Sequence, residues 1–120
     1  YRVLKPGGYG LISVPQSSEL HDEPHDYWRF TKYGAGALLS EAGLEVIKIL
    51  SRGGFLSLKA QMTTRYFIDL LDLYRRKLLG RLLGPFFLIY GRMAIWLDGM
   101  DKSRANRKHT LGWLILFRKI

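Results

Sequence analysis

Apolar positions recur along the chain in three rhythms, and each predicts a different element. Leu11-Ile12-Ser13-Val14 is a short, nearly continuous apolar run between the turn signal Pro6-Gly7-Gly8 and Pro15, which predicts a buried strand over residues 9–14. Tyr33, Ala37, Leu38 and Ala42 then recur at helical spacing. Thr31 stands where an N-cap belongs and Gly43 where a left-handed helix end is wanted, so a helix is expected over 32–42. Val46, Ile47 and Ile49 enrich residues 44–50 in β-branched side chains, a second strand that Arg52-Gly53-Gly54 breaks. The final run, 111–117, is interrupted only by Gly112 and predicts a central strand covered on both faces, emerging at Arg118 and Lys119. Strand, crossover helix and strand within so few residues imply a parallel unit, and hence an α/β sheet.

Residues 55–109 separate the second and third strands and read as a helical insertion. Phe67, Leu70, Leu71, Tyr74 and Leu78 form one stripe, with Arg65, Asp69, Asp72 and Arg76 opposite as two i,i+4 charge pairs. Gly84-Pro85 is expected to end that helix. A second helix then follows over 86–97, apolar almost all round, with Arg92 its only charge.

With 120 residues and 48% hydrophobic content, the chain suits one small core, as one domain or part of one. It begins at Tyr1 with no secretory-signal pattern, as expected of a segment internal to a longer protein. The absence of cysteine excludes disulfides, thiolate metal sites and a cysteine nucleophile, and the default setting is the cytoplasm. The net charge of +9 is uneven: residues 1–51 carry −1, residues 52–109 carry +8, and Arg118 with Lys119 add +2. That bias predicts attraction to an anionic surface.

Arg2-Val3-Leu4-Lys5-Pro6-Gly7-Gly8 running into the first strand resembles the segment before the fifth strand of class I S-adenosylmethionine-dependent methyltransferases. His25-Asp26-Tyr27-Trp28-Arg29-Phe30-Thr31 and Ala42-Gly43-Leu44-Glu45-Val46 continue the likeness, which is to the family's type 11 members. It covers about residues 1–54 and 110–120. The resemblance implies a partial Rossmann-like sheet of the last three strands, with the final strand antiparallel between the other two. It also implies that the donor's glycine-rich turn and acidic ribose partner lie in a missing N-terminal half. Lys5-Pro6-Gly7-Gly8 reads as a tight turn, and Gly8-Tyr9-Gly10 leads into a strand, so neither is a dinucleotide fingerprint.

Residues 17–31 gather His21, Asp22, Glu23, His25, Asp26, Tyr27, Trp28 and Arg29 after the first strand, on the side where open α/β sheets bind ligands. By resemblance this loop lines an acceptor pocket. His25 and Asp26 are the candidates to orient or deprotonate the acceptor, and His21, Tyr27, Trp28 and Arg29 the candidates to bind it. Structural readings stand beside these: an Asp26–Arg29 pair that fixes the loop, and Trp28 and Phe30 as core anchors. Irregular spacing within one loop ranks metal ligation by His21 and His25 below an acceptor role.

The expected function is therefore that of a methyltransferase fragment whose intact parent methylates a small or lipid-linked acceptor. Its alternatives are a basic binding module for an anionic membrane or nucleic acid, and an inactive remnant. A helix over 82–97 would rise roughly 24 Å against a hydrocarbon core of about 30 Å, which favours lying in the membrane interface over spanning. Phe86, Phe87 and Trp96 would insert beside Arg75, Arg76, Lys77, Arg81 and Arg92. A lid on the sheet or an oligomer contact fits the same segment, and no recognition motif supports nucleic acid.

Overall fold

The computed structural model describes residues 1–120, which form two compact units: Tyr1–Arg52 with Leu111–Ile120, and Gly53–Thr110. The first is mixed α/β, with β1 (Tyr9–Pro15), α1 (Lys32–Glu41), β2 (Leu44–Arg52) and β3 (Gly112–Lys119).

The three strands lie in the order β1-β3-β2, and β3 runs antiparallel to both neighbours, so β1 and β2 are parallel to each other without pairing directly. Ile115 is the centre of this sheet, paired with Ile12 on one side and Ile49 on the other. It is fully buried, Trp113 and Ala35 are buried beside it, and Ile12, Val14, Phe30, Leu39, Val46 and Ile49 pack around them. Gly10 leaves the space that the Phe117 ring fills. A shift of register between Val46 and Lys48 lets β2 keep apolar residues on this face.

The first unit differs from expectation in one respect. Only the face bearing Trp113, Ile115 and Phe117 is buried; Leu114 and Leu116 on the other face of β3 are half-buried, and Leu11 and Leu50 are exposed. One helix, α1, can cover only one side of a sheet. The caps agree with the sequence pattern. Thr31 Oγ1 accepts from Gly34 N at 3.1 Å, and Gly43 ends α1 with φ +74°.

The second unit contains α2 (Phe55–Leu70), α3 (Lys77–Met100) and the short α4 (Arg104–Lys108). The apolar stripe expected to run from Phe67 to Leu78 is broken here, because the chain turns over residues 71–76. Asp72 adopts φ +48°, a conformation that aspartate tolerates better than bulkier side chains, and Leu73 tucks inward. Asp72 consequently meets Arg75 rather than Arg76.

Pro85, by contrast, does not end a helix. It lies inside α3, where the preceding Gly84 has no Cβ to collide with the proline ring. The unbroken α3 is 24 residues long, roughly 36 Å, and is long and apolar enough to cross a membrane by length and composition alone.

The two long helices form an antiparallel hairpin closed by a polar clamp. Gly54, at the N-cap of α2, has no side chain to offer its first turn. Asp98, near the end of α3, accepts from Gly54 N at 2.9 Å, Leu56 N at 3.1 Å and Ser57 N at 2.7 Å. Asn106 Oδ1 accepts from Phe55 N at 2.7 Å, so four consecutive amides find partners. Asn106 Nδ2 donates back to Asp101 O at 3.0 Å. A Cβ at residue 54 would occupy the space of the Asn106 side chain.

Candidate functional site

Beyond Pro15 the chain leaves the sheet in a long loop and returns at Phe30, whose N–H donates to Pro15 O at 2.8 Å. Compact loops whose ends meet in this way often carry function. The loop stands at the C-terminal end of β1. Two further bonds anchor its first residues: Gln16 N and Ser17 N both donate to Leu111 O, at 2.9 and 3.2 Å.

Inside the loop, Arg29 is the hub. Its guanidinium grips Asp26 with both nitrogens, Nη2 at 2.7 Å from Oδ2, and Nη2 also donates to Glu19 O at 2.9 Å. Asp26 Oδ2 accepts from His21 N at 3.0 Å as well. The Asp26 side chain is only 9% exposed. The Arg29 hydrogen bonds, reinforced by the His21 amide, hold its carboxyl well below the usual carboxylate range, and the Asp26 carboxylate in turn raises the Arg29 guanidinium. A carboxylate so placed is a fastener and a poor proton acceptor near neutral pH.

His21 belongs to the same cluster. Its Nδ1 faces Glu19 O at 3.0 Å, and because a carbonyl only accepts, that nitrogen carries the proton. No group of three His, Asp or Glu side chains converges in a metal-ligating arrangement.

The side chains of the other candidates are exposed. His25 Nδ1 lies 3.0 Å from the Tyr27 hydroxyl, with the two rings edge to face. Tyr27 and Trp28 are 68% and 69% exposed. Phe30 packs against the core as expected of an anchor, whereas Trp28 stacks on Phe30 from outside and is no part of the core. The six candidates therefore divide into a latch of His21, Asp26 and Arg29, and an outward group of His25, Tyr27 and Trp28.

Sequence reasoning missed two polar pairs at the same end of the sheet. Trp113 Nε1 donates to Gln16 Oε1 at 2.8 Å, and Arg52, which ends β2, donates from Nη1 to Ser13 Oγ at 2.9 Å. The first had a signal, since a buried indole N–H needs an acceptor and Gln16 directly follows the strand. The second depends on β3 lying between its partners' strands, which no local pattern reveals.

The latch predicts its own failure. Asp26→Asn should weaken both Arg29 contacts, and amide exchange at His21 should quicken roughly tenfold, as for loss of one charge-assisted hydrogen bond. Because the folded-state pKa of Asp26 is depressed, the latch is intact above the ordinary carboxylate range and loosens as pH falls through the folded value. Hydrogen exchange followed at decreasing pH reads both effects, and an unchanged His21 amide would refute the role. No protein-family profile, curated protein or solved structure matches this chain.

Proposed function

We propose that this chain forms the acceptor-side part of a class I methyltransferase domain, whose intact parent transfers a methyl group from S-adenosylmethionine to a small or lipid-linked acceptor. The observation that carries the reading is the placing of β3, antiparallel between two mutually parallel strands, which is the closing arrangement of that family's Rossmann-like sheet. The outward residues of the loop after β1 stand where such a sheet receives its ligand. The reading places the parent in the cytoplasm.

The residues here do not fit the methyl donor. The glycine turn before β1 is tied to β3, with Gly7 N donating to Lys119 O and Gly8 O accepting from Lys119 N, both at 2.9 Å. Those groups cannot also cradle a ligand, so the donor contacts fall to residues outside this chain.

The chain contributes placement and a base. In the tautomer in which His25 Nδ1–H donates to the Tyr27 hydroxyl, Nε2 is the basic nitrogen and takes the proton of a hydroxyl acceptor. Tyr27 and Trp28 offer aromatic walls, and Asp26 acts through Arg29 as a positioning residue. In the full-length protein, His25→Ala should lower turnover on the order of 100-fold while leaving donor affinity and thermal unfolding unchanged. Tyr27→Phe should give a smaller loss. Calorimetric titration with S-adenosylmethionine and a labelled-methyl transfer assay test the reading; full-length protein that neither binds the donor nor transfers its methyl group would overturn it.

A further inference from the structure

The second unit presents an apolar row along α3. Leu82, Phe86, Ile89, Met93 and Trp96 follow one another at intervals of four and three residues and so share one helix face. They are 69%, 67%, 58%, 56% and 64% exposed. The side packed by α2 is a different one, centred on the buried Ala94 and the half-buried Leu83 and Phe87. Phe87, expected to insert beside Phe86, is thus spent inside the hairpin. Five large side chains in one row, each more than half exposed, exceed the scattered apolar residues of an ordinary surface.

Charge decides what meets this row. The unit holds eleven Lys and Arg against four Asp, a net +7. Arg75, Arg76 and Lys77 stand at the start of α3, Lys102, Arg104, Arg107 and Lys108 beyond its end, and Arg92 sits one turn from both Ile89 and Trp96.

A second copy would bring +7 against +7 and one Arg92 seam against another. Nucleic acid would gain little from a centre of Leu, Ile and Met. A lipid surface satisfies both terms at once, acyl chains for the row and anionic headgroups for its surroundings. Spanning is opposed by Arg81 and Arg92, three turns apart within the helix, and by the exposed Lys59, Arg65 and Asp69 on the neighbouring α2.

We propose that α3 docks lengthwise on anionic membrane surfaces through the row from Leu82 to Trp96. The docking is independent of methyl transfer and would hold if that activity failed. The test is sedimentation of the full chain with vesicles of phosphatidylcholine alone and of phosphatidylcholine mixed with phosphatidylserine. Binding should require the anionic lipid and weaken with salt. Arg81→Gln and Arg92→Gln should each cost about fivefold in affinity, and Phe86→Ser combined with Trp96→Ser roughly tenfold or more. Circular dichroism should show all variants folded, since each side chain is on the surface.

Equal binding to neutral vesicles, or binding unmoved by the Phe86 and Trp96 changes, would overturn the proposal. So would recovery in the membrane after an alkaline carbonate wash, which would mark a span. Self-association or oligonucleotide binding without vesicle binding would assign the face to those partners and likewise overturn it.

Discussion

Asp98→Ala should unfasten the helical hairpin, at a cost of about 3 kcal/mol in stability and with a loss of far-ultraviolet helical signal. One carboxylate serves three amides at the start of α2, and Asn106 Oδ1 takes only the fourth, that of Phe55. A lost N-cap alone costs up to about 2 kcal/mol, and hydrogen bonds to a charged group are worth more than neutral ones. The carboxylate also faces the positive end of the α2 dipole.

Asp98→Asn should recover part of the loss, because an amide oxygen still accepts but carries no charge. The pH dependence has a definite sign. Burial pushes the Asp98 carboxyl up, but donors from Ser57, Leu56 and Gly54 outweigh it and leave the carboxyl lowered. Its contribution is therefore complete above the ordinary carboxylate range and fades as pH falls through the folded value. Urea unfolding of wild type and Asp98→Ala over that range should converge at low pH, and a gap that persists there would show that the charge is not what matters.

Ile115→Ala should cost about 2–5 kcal/mol, the range for truncating a fully buried aliphatic side chain. Ile115 is completely buried and meets Ile12 and Ile49 across both strand pairings, so the cavity would open where three strands and α1 come together. A domain holds only about 5–15 kcal/mol in reserve. Ile115→Val, at about 0.5–1.5 kcal/mol, provides the graded comparison. The midpoint of denaturant unfolding reads the series, and a small loss for alanine would mean that the sheet collapses around the gap.

The strands and α1 were legible because their signals are local. Ile12, Val46, Ile49 and Ile115 each declare a strand through their immediate neighbours, and Thr31 and Gly43 bracket a helix without reference to anything distant. The hairpin was less legible for a physical reason. Helical periodicity continues through Leu71 and Tyr74 while the backbone reverses at Asp72, and Pro85 signals a break that Gly84 makes unnecessary. The clamp was hidden altogether, since Asp98 serves amides 41 to 44 residues earlier in the chain.

The candidate loop lay between these cases. Its location after β1 could be read from the chain. The division of labour could not, because Asp26 and Arg29 next to His25 suit catalysis as well as fastening until their hydrogen bonds are known.

The placing of β3 also governs when the protein can acquire its shape. Tyr9 pairs with Arg118 and Leu44 with Lys119, so β1 and β2 remain without their common neighbour until β3 is present. Closing so large a loop is entropically slow, whereas α2 and α3 meet through a short turn. During synthesis the helical hairpin can therefore form first, and the sheet waits for the ribosome to release Gly112–Lys119.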